Sequence, residues 1–295
     1  MLPDTPSDPG ARPEMVTRQI VRVDAQGGCT AEDTLAVEEP LEIRLCYGPA
    51  RSRQRQSISL TMRTPGHDRE LAAGFLFTEG IVESPEQVAE IRTGRSEGGA
   101  GTQRNVARVE LREEVSVDLG RLQRHFYTTS SCGVCGKTSL EALEVAADRS
   151  AVTTQFEVVS EVLFRLPGTL RDAQAVFGRT GGLHAAAFFD LEGRLHSVRE
   201  DVGRHNALDK LIGARFLSSE LPLQEGILLL SGRASFELMQ KAFMAGVALV
   251  AAVGAPSSLA VELAQQFGIT LVGWLRGERF SVYSHPERLR MRSGC

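Results

Sequence analysis

The residues best placed to do chemistry are Ser130-Ser131-Cys132-Gly133-Val134-Cys135-Gly136-Lys137-Thr138. A Cys-x-x-Cys pair in a Gly/Ser loop is compatible with a thiol nucleophile pair, half a zinc site, a redox disulfide or two incidental cysteines. Because the thiolate is the reacting form, a loop that leads into a helix at Thr138 beside Lys137 favours ionisation. Zinc needs four ligands, and there is no second pair, nor any His-x-x-x-His spacing among His67, His125, His184, His196, His205 and His285. A metal held by the side chains of one chain is therefore not expected, although two such loops at a dimer axis would offer four thiolates. The same loop nearly satisfies a phosphate-binding Gly-x-x-x-x-Gly-Lys-[Ser/Thr] pattern between a strand at His125 to Thr129 and a helix at Thr138 to Ala147. Ser131 replaces the first glycine, and Asp190, the nearest metal-holding aspartate, falls at a hairpin turn, so nucleotide hydrolysis is disfavoured.

A second group of residues lies at three strand ends. Ser231-Gly232-Arg233, Gly254-Ala-Pro-Ser-Ser258 and Trp274-Leu275-Arg276-Gly277-Glu278-Arg279 each follow an apolar run. If those runs are parallel strands, all three segments share one carboxyl edge, where open α/β sheets bind ligands. Small residues admit a ligand to the backbone, and Arg233, Arg276 and Arg279 supply charge suited to phosphate. Arg199-Glu-Asp-Val-Gly-Arg-His-Asn-Ala-Leu-Asp-Lys210 is polar for most of its length and reads as a solvated helix start. His205 and Asp209, one turn apart and opposite Leu208 and Leu211, lie on a face that could meet a ligand, and His205 reads equally as part of the solvated helix start. His184 reads equally as a site residue or a hydrogen-bonded core histidine.

These segments need elements to hold them. Val16 to Val23, Thr34 to Val37, Leu41 to Tyr47, Gln56 to Arg63 and Asn105 to Leu111 alternate as strands, with a helix over His67 to Thr78 and a low-complexity loop over Thr93 to Gln103. From about Arg124 the texture changes. His184 to Phe189 and Arg194 to Arg199 form a hairpin, and Gly203 to Phe216 a helix. Ile227 to Leu230, Val247 to Val253 and Ile269 to Trp274 alternate with helices over Ser235 to Ala245 and Ser257 to Phe267, which is β-α-β-α-β. The expected division is a disordered tail over 1–15, a strand-rich α+β domain over 16–123 and an α/β domain with a mixed, partly parallel sheet over 124–295.

Composition sets the outer limits. The chain has 295 residues, 42% hydrophobic and 24% charged, with a net charge of −4, which excludes a largely disordered chain and bulk binding to nucleic acid or membrane. Among the basic residues only Lys137, Lys210 and Lys241 are lysines. The five cysteines, Cys29, Cys46, Cys132, Cys135 and Cys295, are irregularly spaced, and the Pro/Asp-rich start lacks an apolar stretch, so a reducing cytoplasm is expected. The uncharged tract Ala242 to Val261 is long enough to span a membrane, but Gly254-Ala-Pro-Ser-Ser breaks it.

In order along the chain, Cys132-Gly-Val-Cys-Gly136, Thr180-Gly-Gly-Leu-His-Ala-Ala-Ala187, Arg199 to Lys210, Ser231-Gly-Arg-Ala-Ser-Phe-Glu237 and Trp274 to Arg279 resemble the blocks of the FdhD/NarQ family. These are formate dehydrogenase accessory sulfurtransferases, and the resemblance runs roughly from Asp33 to Leu289. It implies a cytoplasmic homodimer that accepts persulfide sulfur from a cysteine desulfurase. The sulfur passes to the bis-molybdopterin guanine dinucleotide molybdenum cofactor before insertion into formate dehydrogenase. The alternative is a non-catalytic chaperone that only binds and presents that cofactor. Cys132 would carry the persulfide with Cys135 as partner. Ser231, Gly232, Arg233, the run Trp274 to Arg279 and His205 would hold the cofactor's nucleotide ends, for which GDP is a simpler analogue. The family resemblance also implies a cytidine deaminase-like second domain. The corresponding helix starts at His205-Asn206-Ala207 and Ser231 to Ser235 lack the catalytic glutamate and both cysteines, which disfavours metal-assisted deamination.

Overall fold

Alternating, β-branched sequence builds the first region. A computed structural model describes residues 13–97, 103–117 and 156–291. Cys132, Cys135, Cys295, the Lys137 loop with its expected flanking strand and helix, and residues 1–12 of the expected tail lie outside the described residues. β1 (Met15–Asp24) and β2 (Gly27–Ala36) pair antiparallel as a separate ribbon. β3 (Glu39–Tyr47), β4 (Gln54–Arg63), β5 (Val88–Glu97) and β6 (Gln103–Leu111) form a sheet of order β4-β3-β6-β5. Its inner face, with Leu41, Ile43 and Leu45, packs on Leu71, Ala72 and Leu76 of helix α1 (Asp68–Thr78). Thr93 to Gln103 departs from the expected loop at both ends. Ladder pairing carries β5 out to Glu97 and starts β6 at Gln103, overriding the Gly-rich composition.

The second region is a six-stranded mixed sheet of order β13-β12-β11-β10-β8-β9. It contains β8 (His184–Phe189), β9 (Leu195–Asp201), β10 (Ile227–Leu230), β11 (Leu249–Ala252), β12 (Thr270–Arg276) and β13 (Arg279–Ser284). β10, β11 and β12 are parallel, and β8 and β13 run antiparallel to their central neighbours. Alternation divides the strands between two cores. Leu228, Leu230, Val250 and Ala252 face helices α4 (Arg204–Leu217), α5 (Phe236–Met244) and α6 (Ser258–Gln266). Ile227, Leu229, Leu249 and Ala251 face α2 (Ser160–Ala173), a helix that continues through Pro167. Each β10 side chain is at most 3% exposed, and burying one such side chain contributes about 1.5–3 kcal/mol. A one-turn helix α3 (Phe177–Thr180) and the short parallel pair β7 (Val158–Val159) and β14 (Leu289–Arg290) complete the described elements. The tract over Ala242 to Val261 is the end of α5, a turn at Gly246, β11 and the start of α6. Among the described residues no helix is long and apolar enough to cross a membrane.

The two regions meet where α1 crosses α4 at backbone contact. A Cβ on Gly74 would fall 1.9 Å from the Asp209 carbonyl oxygen, and one on Gly213 would fall 1.9 Å from that of Glu70. Here the polar run Arg199 to Lys210 departs from expectation, because most of it is enclosed. Asp201, fully buried, accepts from the amides of Thr64 (3.1 Å) and Gly203 (2.8 Å) and from Asn206 Nδ2 (3.0 Å), and pairs with Lys210 Nζ at 2.7 Å. Asp209 does not face a ligand. It pairs with Lys241 Nζ at 3.0 Å and accepts from the Thr78 hydroxyl at 2.9 Å, while Lys241 also reaches Glu79 at 3.2 Å. Burial disfavours both charges of this group. For Lys241 the carboxylates of Asp209 and Glu79 outweigh burial and raise its pKa, whereas burial prevails at Asp209 and pushes its carboxyl up. Arg199 spans the same seam to Glu70 on α1, at 2.8 Å from Nη2.

Candidate functional site

Strand direction assembles the site. With β10, β11 and β12 parallel, Ser231, Gly254 and Arg276 come to one carboxyl edge. Because β8 is antiparallel to β10 and pairs His184 with Asp201 of β9, the start of β8 and the end of β9 reach that edge too. Backbone hydrogen bonds tie the loops together: Gly254 N–H to Gly232 O (2.8 Å), Ala234 N–H to Ala255 O (3.2 Å), Ser257 N–H to Ala234 O (3.0 Å) and Trp274 N–H to Gly254 O (3.0 Å). Gly254 eases this approach, since a Cβ there would sit 3.0 Å from the Gly232 carbonyl carbon and the Arg233 nitrogen and the loops would have to part by a few tenths of an ångström.

The run Trp274 to Arg279 forms the rim of a cleft. Trp274, Arg276, Arg279, Phe280 and Ser281 line about 290 Å³. Trp274 holds a φ of 56°, a backbone conformation bulky residues rarely adopt, and its side chain is 46% exposed. The Arg276 guanidinium lies 5.2 Å from the Trp274 ring, and its Nε donates to Val253 O at 3.1 Å. Gly277, at φ 56°, and Glu278 make the turn into β13, while the Leu275 side chain is enclosed in the core. Arg233 is exposed beside Gly254. Ser231 is engaged with β8, its hydroxyl accepting from the Ala185 amide at 2.8 Å.

Two histidines stand at the other end of the edge. His184 is packed so closely on Gly232 that a Cβ there would be 3.3 Å from its Nδ1. Burial, then the charges of Arg204, His205 and Arg233, pushes the His184 pKa down. His205, on the first turn of α4, has Nε2 at 2.8 Å from Glu237 Oε2, and this contact holds the Glu237 carboxyl below its ordinary range. Ser235 occupies the N-cap position of α5 without a side-chain cap, and its Oγ is buried with no partner among the described residues. Sequence reasoning missed Phe280 and Ser281; recognising Arg279 to Ser284 as a strand returning from the Gly277 turn would have found them.

Cationic groups, an exposed aromatic face and narrow, glycine-lined loops form an edge suited to a phosphate-bearing ligand with planar rings. The two described cysteines are elsewhere. Cys29 is exposed on the ribbon, and burial, with a hydrogen bond to Glu110, pushes the Cys46 thiol up and makes it a poor nucleophile. Among the described residues no group of His, Cys, Asp and Glu is arranged to hold a metal ion.

The sequence pattern of the FdhD/NarQ family matches residues 36–290. The chain belongs to the FdhD/NarQ family. It is 48% identical over 279 residues to the sulfur carrier protein FdhD of Streptomyces coelicolor, covering 94% of this chain and 96% of that one. It is 37% identical over 270 residues to the sulfur carrier protein FdhD of Saccharolobus solfataricus, covering 92% and 96%. A crystal structure of a putative formate dehydrogenase accessory protein from Desulfotalea psychrophila shares the fold, with a TM-score of 0.70 at 23% identity, covering 94% of this chain and all of that one. Within the FdhD/NarQ chain described here, the fold is a mixed α/β sheet preceded by a strand-rich region.

Proposed function

We propose that the chain is a sulfur carrier in formate dehydrogenase maturation. In this reading it takes persulfide sulfur from a cysteine desulfurase and transfers it, as a homodimer, to the bis-molybdopterin guanine dinucleotide cofactor before insertion into formate dehydrogenase. The observation that carries the reading is the convergence of Arg233, Trp274, Arg276 and Arg279 on one sheet edge, in a chain whose 48%-identical relatives are named sulfur carriers. The edge offers guanidinium groups to the phosphates and the Trp274 face to a base. The cofactor is the substrate, and Cys132 is the thiolate that receives sulfur. It attacks the outer sulfur of the donor's persulfide, forming a new S–S bond and releasing the donor cysteine as thiolate.

Incubation with a cysteine desulfurase and cysteine should add sulfur to the Cys132 or Cys135 peptide as mass increments of about 32 Da. A double variant Cys132→Ala, Cys135→Ala that still fully matures formate dehydrogenase would reduce the function to binding and presenting the cofactor.

A further inference from the structure

On the outer face of the β4-β3-β6-β5 sheet, turned away from α1, the middle is buried at Glu42, Cys46 and Val106, and the β4 edge is open, with Leu60 54% and Met62 48% exposed. Register places Glu42, Arg44 and Cys46 of β3 on this face, beside Leu60, Ser57 and Arg55 of β4 and Arg108 and Glu110 of β6. Glu42, Arg44, Cys46, Arg55, Gln56, Ser57 and Arg108 line a cavity of about 270 Å³ that opens to solvent, and Cys46 at its floor is 1% exposed.

The charges on this face do not balance locally. Arg44 lies against both oxygens of Glu42 at 2.8 and 2.9 Å, Arg53 takes Glu110 at 2.9 Å, and Arg92 takes Glu90 at 2.6 Å. Arg55 and Arg108 make no ion pair or hydrogen bond among the described residues, and both lie near enough to the Cys46 thiol to act on its ionisation. With Glu42 held by Arg44 and Glu110 held by Arg53, the cavity keeps an excess of guanidinium charge at Arg55 and Arg108, which suits an anion. The apolar half of the same face adds a requirement that a free inorganic ion does not meet.

We propose that this face docks a protein partner through an extended segment that sets an acidic side chain between Arg55 and Arg108 and apolar side chains over Leu60 and Met62. At about 3.4 Å per residue along β4, the two halves of the surface are roughly five residues apart, within reach of one short strand-like segment. Its apolar end adjoins the ligand edge, because Asn206 Nδ2 at the start of α4 donates to Met62 O at 2.8 Å. This inference does not depend on the sulfur-carrier reading.

The test uses the full chain and a fluorescein-labelled extended peptide bearing two glutamates and, about five residues away, two leucines, followed by anisotropy. Saturable binding is expected, about tenfold weaker or worse for the glutamine analogue and for the Arg55→Ala, Arg108→Ala variant, with recovery in Arg55→Lys, Arg108→Lys. Leu60→Ser, Met62→Ser should weaken it as well. No binding by the unaltered chain, or equal binding by the alanine variant, would overturn the proposal. Full displacement by inorganic phosphate, with the leucines making no difference, would also overturn it and leave a small-anion site.

Discussion

Arg199 to Lys210 and Trp274 to Arg279 are both short, charged runs beside the same sheet edge, and the fold uses them in opposite ways. In the first, Asp201 and Asp209 are buried and each meets a lysine and further donors from α1 or the β4 end, so the charges are spent within the molecule. In the second, the guanidinium groups of Arg276 and Arg279 border a cleft and stay available. Charge content alone does not mark a binding segment. What separates the two is whether the fold has already satisfied the polar groups, since buried ones are paired almost without exception.

The largest test of that contrast is Lys241→Met. It leaves Asp209 and Glu79 in the seam without their cation and should cost about 3–5 kcal/mol, read from the denaturation midpoint, while the folded fraction still binds GDP. An unchanged midpoint would erase the distinction.

Glu70 sharpens it through pH. Burial alone would raise this carboxyl, but hydrogen bonds from Arg199 and His67 prevail and hold it at about 2, against an ordinary 4.5. A carboxyl whose folded pKa is depressed stabilises the protein above its unfolded pKa and loses that contribution as pH falls through 4.5 toward 2. The loss should approach about 3 kcal/mol, and Glu70→Gln should abolish that part of the acid dependence in denaturation measured across the window.

At the open edge, Arg276→Ala should weaken GDP binding about ten- to a hundredfold, roughly 1.5–3 kcal/mol by calorimetry, with the midpoint moving by less than about 0.5 kcal/mol. Equal affinity in the variant would place the nucleotide elsewhere.

How far each region could be read from sequence follows the same division. Ile227–Leu230 and His184–Phe189 are legible to the residue, because runs buried on both faces or bounded by turn residues carry their own signal. The edge cluster follows from parallel strands alone. Ser160–Ala173 is absent from the sequence reading; it carries Pro167, which ordinarily interrupts a helix, and packing of Val162, Leu163, Leu166 and Leu170 holds the helix through it. The burial of Asp201 and Asp209 is not legible in sequence, because their partners Thr64 and Thr78 lie 137 and 131 residues away, which no local pattern records. Cys132 and Cys135 are legible only by spacing and lie outside the described residues.

Trp274 is the chain's sole tryptophan, and it stands half exposed at the mouth of the cleft, under the Arg276 guanidinium. All indole fluorescence of the monomer therefore originates at the carboxyl edge of the sheet. A stacked base or a moved guanidinium alters the emission of that one ring, while the distant sheets, which contribute no indole, leave the signal silent. The molecule carries its own optical reporter at the mouth of the Trp274 cleft.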